Sequence, residues 1–308
     1  MRNTLIKYIS NEAKANKNLY LLTGDLGFGV FDDFSNQFPN QFINVGVAEQ
    51  NMTTIACGLA LEKNKVFTYS IGNFSTLRCL EQIRNDICYH NVDVTVITVG
   101  AGFSYGQLGM SHFATEDIAI LRTMPNIMIF SPCDPWEFKI ILEKMKDFSG
   151  PKYIRIDKSN ANSDNNGDVI IGVPRLCFAG SDAIIFATGG IVGEAIEAAK
   201  ILKTKNIHLK VMSVHTLKPL KANVFLDEIK NIENVFTLEE HTLMGGLGSI
   251  ISEIITENNL KITKFKRFGI NDEFPNVVGD QEYLRKNYNL DAKSIASEIE
   301  INLDEKIK

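Results

Sequence analysis

The segment Asn44-Val45-Gly46-Val47-Ala48-Glu49-Gln50-Asn51-Met52 places one carboxylate among small and apolar residues. Helix-forming residues begin near Ala48, so Glu49 is predicted in the first turn of a helix over residues 48–62, where the helix dipole favours negative charge. A carboxylate at this position either stabilises the helix or serves a function. The apolar surroundings favour a function, because catalytic carboxylates often lie in such settings.

Short β-branched segments alternate with longer segments of helical period along the rest of the chain. Near-continuous apolar strands that alternate with helices are typical of parallel sheets covered on both faces. The predicted strands are 66–71, 92–99, 126–130, 152–156, 182–188, 208–214, 234–239 and 263–269. The predicted helices are 48–62, 76–90, 134–146, 192–206, 222–231 and 246–258. This pattern predicts an α/β protein.

A polar segment divides the alternating pattern into two parts. Residues 158–168 (KSNANSDNNGD) are almost entirely polar and turn-forming, which is typical of a linker. The 308 residues suffice for two domains of about 150 residues each. We therefore expect domains at residues 1–157 and 169–308, each a mostly parallel sheet covered by helices.

The composition excludes several classes of protein. A net charge of −5 argues against a nucleic-acid-binding surface, because phosphate neutralisation needs a basic field. The five cysteines are widely spaced without a Cys-x-x-Cys pair, which fits a reducing compartment. Neither an N-terminal signal sequence nor an apolar run of about 18 residues is visible. We expect a cytoplasmic protein that binds no membrane.

Two glycine-rich loops follow predicted strands. The first, Gly106-Gln107-Leu108-Gly109-Met110-Ser111-His112, places an imidazole where α/β proteins bind ligands, although a lone loop histidine is often only solvated. The second, Gly189-Gly190-Ile191-Val192-Gly193, lacks the G-x-G-x-x-G spacing, which favours a plain turn over a dinucleotide site.

The other histidines show no spacing typical of metal ligands, so no metal site is predicted in this chain. His90, His208 and His215 are expected to have structural roles. His241 is expected either in a functional loop or at a helix N-terminus.

Four segments, in order and in register, resemble the transketolase family of thiamine-diphosphate enzymes, which includes 1-deoxyxylulose-5-phosphate synthase. The similarity runs from about Arg2 to about Ile295 and implies the family's pyrimidine-binding and C-terminal domains. The segments are FINVGVAEQNM at 42–52, GQLGMSH at 106–112 with EDIAILR at 116–122, KPL at 218–220, and EEHTLMGGLGS at 239–249.

The resemblance implies roles for four residues. In this family the glutamate that corresponds to Glu49 hydrogen-bonds the aminopyrimidine ring of thiamine diphosphate and promotes loss of the thiazolium C2 proton. His112 is expected to stabilise charge on the donor carbonyl. Because family members place aromatic residues after this strand, Tyr69 and Phe74 are expected to pack against the aminopyrimidine. A position in the core is the alternative for both rings.

The resemblance also bears on the substrate. Arg155 and Arg2 match positions where family members hold a sugar phosphate, a group that arginine binds well, although an arginine beside a strand is often only solvated. The family usually has an aspartate that contacts a donor hydroxyl where this chain has Leu108. We therefore expect a sugar other than the usual substrates, since an apolar side chain cannot hydrogen-bond a hydroxyl.

The family binds the diphosphate and its metal ion through a Gly-Asp-Gly motif and a downstream asparagine in a further domain. Gly24-Asp25-Leu26-Gly27 and Gly279-Asp280-Gln281 do not fit that motif. The resemblance therefore implies an N-terminal transketolase subunit as partner, with Mg²⁺ or Ca²⁺ bound there, in a heterotetramer. Homo-oligomerisation through the same surface is the competing arrangement.

The resemblance as a whole implies a subunit of a split transketolase-type enzyme that transfers a two-carbon ketol unit between sugars. One alternative is the β subunit of the decarboxylating component of a 2-oxoacid dehydrogenase, which shares this pair of domains. Another is a non-catalytic assembly or regulatory subunit that kept the fold. The presence of Glu49 and His112 favours an enzyme.

Overall fold

The computed structural model describes residues 1–164 and 167–304. Its strands are β1 Leu19–Thr23, β2 Phe42–Asn44, β3 Lys65–Ile71, β4 Val94–Val99, β5 Met128–Phe130, β6 Lys152–Ile156, β7 Arg175–Phe178, β8 Ala183–Thr188, β9 Leu209–Ser213, β10 Thr216–Lys218, β11 Asn234–Thr242 and β12 Lys264–Ile270. Its α-helices are α1 Arg2–Ala15, α2 Asp32–Gln37, α3 Glu49–Leu61, α4 Gly72–Ser75, α5 Leu80–Gln82, α6 Asp117–Arg122, α7 Pro135–Lys144, α8 Val192–Lys203, α9 Ala222–Ile229, α10 Leu247–Glu257, α11 Gln281–Asn287 and α12 Ala292–Asp304.

The strands form two sheets in the described part of the chain. The first has the order β10-β5-β6-β4-β3-β1-β2, and the second has the order β12-β11-β8-β9-β7. Only β10 and β7, each at a sheet edge, pair with their neighbours in the antiparallel direction among these described strands. The predicted fold class, two mostly parallel sheets covered by helices, is confirmed.

The two halves of the chain are not separate in space, because elements of the second half pack into the first. Strand β10 lies beyond the predicted linker in sequence, yet it pairs with β5 at the edge of the first sheet, with Thr216 opposite Phe130. A cluster of buried apolar side chains also spans both sheets, from Leu22 and Leu121 to Phe186 and Leu247. Within the linker, residues 165–166 lie outside the described residues.

The predicted helix over residues 76–90 is wrong at residues 76–79, which form a turn, whereas residues 80–88 are helical. The chain instead forms the short helix α4, a turn, the short helix α5, and a π-helix from Ile83 to Cys88. The hydroxyl groups of Ser75 and Thr76 bond back to the carbonyls of Ile71 and Gly72. Such bonds compete with a regular helix, so the chain turns here and leads directly from β3 into the candidate site.

None of the helices in the described ranges combines the length and the apolar character that crossing a lipid bilayer requires.

Candidate active site

The carboxyl ends of β1, β2, β3, β4 and β6 meet at one edge of the first sheet, which is where parallel α/β folds bind ligands. Glu49 is the first residue of α3, which begins shortly after β2. Its carboxylate approaches Gly24, which follows β1. A Cβ atom at Gly24 would lie 3.4 Å from Glu49 Cγ, an ordinary van der Waals contact, so the two segments lie side by side.

The Glu49 side chain is buried, and two polar side chains contact its carboxylate. Ser70 Oγ, near the end of β3, donates a long hydrogen bond of 3.4 Å to Glu49 Oε1. The Arg78 guanidinium donates to Oε2 over 2.7 Å, and this ion pair offsets the cost of burial. The predicted first-turn position is therefore observed, and the carboxylate is both buried and paired.

Arg78 was not identified by sequence reasoning. Its guanidinium lies 4.7 Å from the ring centroid of Phe74, so it contacts the carboxylate and an aromatic face together. One signal was available, because Arg78 is the only charged residue between Lys65 and Glu81. A charged residue in an otherwise uncharged segment often has a specific partner, since burying a charge without a partner is costly.

His112 and Phe74 lie side by side in the site. Their ring centroids are 5.1 Å apart, and the Tyr105 ring lies 6.3 Å from the imidazole. Ser111 Oγ lies 2.9 Å from His112 Nδ1. Partial burial lowers the pKa of His112 below its ordinary value, so the imidazole is neutral at about pH 7. The loop thus presents a neutral imidazole beside the half-buried Phe74 ring.

Two cations, Lys158 and Arg2, lie beside Tyr105 and Tyr69. The Lys158 ammonium sits 3.7 Å from the centroid of the Tyr105 ring. Burial and the positive charge of Arg2 lower the pKa of Lys158. Arg2 also lies beside the hydroxyl of Tyr69. Lys158 escaped sequence reasoning because it belongs to the polar segment interpreted as a linker, but together with Arg2 it offers positive charge to an anion.

Arg155 requires a correction. Its side chain is buried, forms an ion pair with Asp117 (Nε–Oδ2 2.9 Å), and donates to the carbonyls of Ala114 (2.7 Å) and Glu240 (3.0 Å). A sugar phosphate therefore does not reach it in this structure. Strand β6 is buried along its whole length, which places Arg155 in the interior, while Lys158 lies past the end of that strand.

Tyr69 also differs from expectation, because its ring belongs to the core. It is buried and packs edge-on against Phe31 at 4.8 Å. Of the two predicted aromatic residues, only Phe74 lies among the candidate site residues with a partly exposed ring.

His241 and the second glycine-rich loop have structural contacts. His241 is buried in β11, where Nε2 accepts from the Ala119 N–H and Nδ1 lies 2.8 Å from the Thr242 carbonyl oxygen. The carboxylate of Glu239, two residues earlier, accepts the N–H groups at the start of α10.

In the second glycine-rich loop, just before α8, the Gly190 N–H donates to Asp157 Oδ2. The Asp157 carboxylate therefore occupies the place that a ligand anion would need.

The residues present fit the aminopyrimidine end of thiamine diphosphate. That ring needs a carboxylate for its ring nitrogen and an aromatic face, and Glu49 and Phe74 supply these on adjacent elements. Among the residues that the structure describes, only Ser70 donates to Oε1 of Glu49, over a long bond, which leaves this oxygen able to accept a further donor. Within residues 1–164 and 167–304, no group of three or more histidine, cysteine or acidic residues has the arrangement of a metal site.

The chain is similar to known proteins over nearly its whole length. The family model described as "Transketolase, pyrimidine binding domain" matches residues 1–163, and "Transketolase, C-terminal domain" matches residues 175–295. A protein of Methanocaldococcus jannaschii named "Putative transketolase C-terminal section" is 36% identical over 291 residues, covering 93% of this chain and 90% of the relative.

A second relative and a solved structure extend this similarity. An apulose-4-phosphate transketolase subunit of Actinobacillus succinogenes is 34% identical over 85% of this chain and 85% of its own length. A structure described as "Split gene transketolase, inactive beta4 tetramer" superposes with a TM-score of 0.86 at 30% identity, covering 98% of this chain and 97% of the other. The chain therefore belongs to the transketolase family, of which it contains the pyrimidine-binding and C-terminal domains.

Proposed function

We propose that this chain is one subunit of a split, thiamine-diphosphate-dependent transketolase that moves a two-carbon ketol unit between sugars. The observation that carries the proposal is the buried Glu49 carboxylate, which lies at the same sheet edge as Phe74 and His112. The similarity to separately encoded transketolase subunits supports it.

Glu49 would hold the ring nitrogen of the aminopyrimidine, and Phe74 would pack against the ring. When bound, the cofactor supplies the carbanion chemistry, while the protein supplies orientation and electrostatics. Because the Glu49 side chain is 1% accessible, its carboxylate would face the ring nitrogen with little competition from bulk water.

His112 would bind the carbonyl oxygen of the donor sugar. Its neutral imidazole has one N–H group, and the Ser111 hydroxyl beside Nδ1 can accept or donate according to the tautomer. With Ser111 donating to Nδ1, the proton lies on Nε2 and faces the substrate. A preorganised donor of this kind stabilises the negative charge that develops on a carbonyl oxygen.

Arg2 and Lys158 would bind the anionic end of the sugar. Both are exposed, and the charge of Arg2 acts on Lys158 at short range. A phosphate group between them would relieve the repulsion of the two cations. Leu108 is 55% exposed in the loop that carries His112, where it offers no hydrogen bond to a donor hydroxyl. This favours a modified sugar, and the relative named for apulose 4-phosphate is consistent with that.

Activity would require a partner that carries the diphosphate-binding domain and its metal ion. Apolar side chains are exposed close to the site, with Val47 75% and Phe28 78% accessible. Exposed apolar area of this kind favours association with another chain. The structural neighbour described as an inactive β4 tetramer supports a homotetramer of this chain in the absence of the partner. With the partner, the proposed assembly is a heterotetramer.

One experiment tests the proposal. The chain is purified with whatever protein accompanies it from its source, and the complex is assayed with ketose phosphates and with pyruvate. Ketol transfer that depends on a partner with a Gly-Asp-Gly motif supports the proposal. Turnover of pyruvate alone would instead indicate the β subunit of a 2-oxoacid dehydrogenase component. Tight binding of cofactor and magnesium by this chain alone would contradict the need for a partner.

A further inference from the structure

The second domain contacts the loop that carries His112 through a buried carboxylate. Glu240, in β11, lies against the backbone of the first domain and is buried. Its Oε1 accepts the Phe103 N–H and the Gln281 side-chain amide (2.8 Å), and its Oε2 accepts Arg285 Nε. The carboxylate therefore joins the first domain to two residues of α11.

The contact lies at the base of the loop. Gly102 and Ala114 exchange two backbone hydrogen bonds of 3.0 Å, which close the segment between them around His112. Gly102 has a φ of +52°, and a Cβ atom there would lie 2.5 Å from Glu240 Oε1. The backbone of the loop is thus packed directly onto the carboxylate, and only glycine allows that approach.

The second domain contacts the upper part of the loop as well. The Gly279 N–H donates to the Gly106 carbonyl (3.3 Å), and a Cβ atom at Gly106 would lie within 2.5 Å of the Leu284 side chain. The ring of Tyr288 stacks on Phe103 with centroids 5.4 Å apart. Residues of one domain therefore determine where a loop of the other domain lies.

We propose that the second domain positions His112, and that Glu240 is the positioning residue. The backbone bonds inside the His112 loop are local ones, since the loop consists of turns and two short 3-10 helices and contains neither a strand nor an α-helix that would fix its position. A hydrogen bond from a backbone N–H to a carboxylate is about twice as strong as a neutral one. Replacing the carboxylate with an amide sets an NH₂ group against either the buried Phe103 N–H or Arg285 Nε and removes the charge from both bonds, so the loop base would move.

The loss of activity expected from this inference rests on the proposed function, whereas the expected change in the position of the loop does not. The Glu240 carboxylate contacts the base of the loop and residues of its own domain, so its side chain acts on the site through the loop. The position of the loop is measurable in the isolated chain by hydrogen exchange at its backbone amides. A failure of the inference is therefore distinguishable from a failure of the proposed function.

The chain provides a matched control in Glu137. This carboxylate is also buried between the domains, accepts a backbone N–H (Cys133, 2.8 Å) and binds an arginine of the second domain (Arg175 Nε, 2.9 Å). It lies on α7, away from the His112 loop. In each variant the amide keeps one acceptor oxygen but sets an NH₂ group against an N–H donor, so Glu240→Gln and Glu137→Gln weaken the same kinds of interaction, and only the first weakens them at the loop.

The experiment compares both variants with the unaltered chain, alone and in the reconstituted complex. For Glu240→Gln we expect exchange at the amides of residues 101–114 to accelerate about tenfold or more, with kcat reduced about tenfold and substrate KM changed less. For Glu137→Gln we expect the exchange rates of these amides and kcat to stay within about twofold of the unaltered chain. The free energy of unfolding should nevertheless fall by a similar amount in Glu137→Gln and Glu240→Gln.

Equal acceleration of loop exchange in the two variants, or unchanged exchange in Glu240→Gln, would overturn the proposal. If Glu240→Gln does not fold, Gln281→Met replaces it, because this change removes the amide that donates to Glu240, Asp157 and Ser104 and leaves the Phe103 bond in place. Gln281→Met should accelerate exchange of the same amides to a smaller extent. If it leaves them unchanged, the second domain does not position the loop.

Discussion

Glu49 and Arg78 form an ion pair of unequal exposure, in which the Glu49 side chain is 1% accessible and the Arg78 side chain is 45% accessible. The guanidinium lies between the buried carboxylate and solvent and covers one face of Phe74. Arg78 is therefore placed to shield Glu49, and a ligand that binds Glu49 must share the carboxylate with it. The two residues are best tested together.

Glu49→Gln should abolish ketol transfer in the reconstituted complex. An amide cannot exchange a proton as a carboxylate does, so we expect turnover to fall by about three orders of magnitude or more. Steady-state assays give the rate, and circular dichroism shows whether the fold is kept. Glu12→Gln, which removes the surface ion pairs with Lys65 and Lys146, is the control and should retain activity. Near-normal turnover of Glu49→Gln would refute the central assignment.

Arg78→Met should destabilise the isolated chain because it leaves the buried Glu49 carboxylate without its cation. Water reaches this pair from the Arg78 side, so we expect a loss of about 1–2 kcal/mol in the free energy of unfolding, below that for a fully buried pair. Urea unfolding of both single variants and of Arg78→Met/Glu49→Gln gives the coupling energy. The double variant should be more stable than Arg78→Met alone. Strict additivity would mean that the pair does not interact.

His112→Asn should lower kcat more than it raises the substrate KM. An asparagine amide keeps a hydrogen-bond donor but not the position of Nε2, so we expect a loss of about ten- to a hundredfold. In the unaltered chain, burial lowers the pKa of His112, so its ring should take up a proton only below about pH 6.5. An NMR titration of the ring protons measures this directly. Protonation above that pH would contradict a neutral imidazole in the site.

Stability should fall in acid because of His215. Burial lowers its pKa, with the carboxylate of Glu137 acting in the opposite direction and Arg175 and Lys144 adding to the lowering. The unfolded chain then binds more protons than the folded chain below about pH 6.5, so the free energy of unfolding decreases by up to about 1.4 kcal/mol per pH unit until the folded-state pKa is reached. Urea unfolding at about pH 7.5 and about pH 5.5 tests this, since His215→Gln should reduce the difference. An unchanged difference would assign the pH dependence to other groups.

Leu108→Asp should improve the use of sugars with a hydroxyl group at the donor position. The carboxylate adds a hydrogen-bond acceptor that the unaltered loop lacks, so kcat/KM for xylulose 5-phosphate should rise by about tenfold relative to a deoxy or otherwise modified sugar. Competition assays with pairs of donors measure the ratio directly. Leu77→Asp adds a charge at another exposed apolar position and should leave the ratio unchanged. If the unaltered complex already prefers xylulose 5-phosphate, the inference from Leu108 is wrong.

Helix α3 and the parallel strands were predictable because one physical pattern determines them. Mostly apolar segments such as β4, which is buried at every position, are stable only when both sheet faces are covered, and Glu49 at the start of α3 follows from helix propensity and the dipole. The helix over 48–62 was accordingly predicted to within one residue at each end. The resemblance of motifs then led to Glu49, Phe74 and His112, which the structure brings to one edge of the first sheet.

Other features depend on contacts that a linear pattern does not contain. Arg155 faces inward only because Asp117 and two carbonyl groups meet it from other segments. Lys158 joins the site because the chain after β6 passes Tyr105, although its neighbours in sequence are polar and turn-forming. The short strand β10 has a sequence without strong alternation, and it forms because the edge of β5 is available to it.

The pairing of β10 with β5 has a consequence for exchanging parts between related enzymes. A hybrid made by joining the first half of this chain to the second half of a relative at the linker would inherit a foreign edge strand. Residues 128–130 would then have to match a strand that did not evolve beside them, and the apolar side chains shared by the two sheets would have to fit again. Recombination at residues 158–168 should therefore give insoluble hybrids unless residues 216–218 and their apolar neighbours are transferred together with the first sheet.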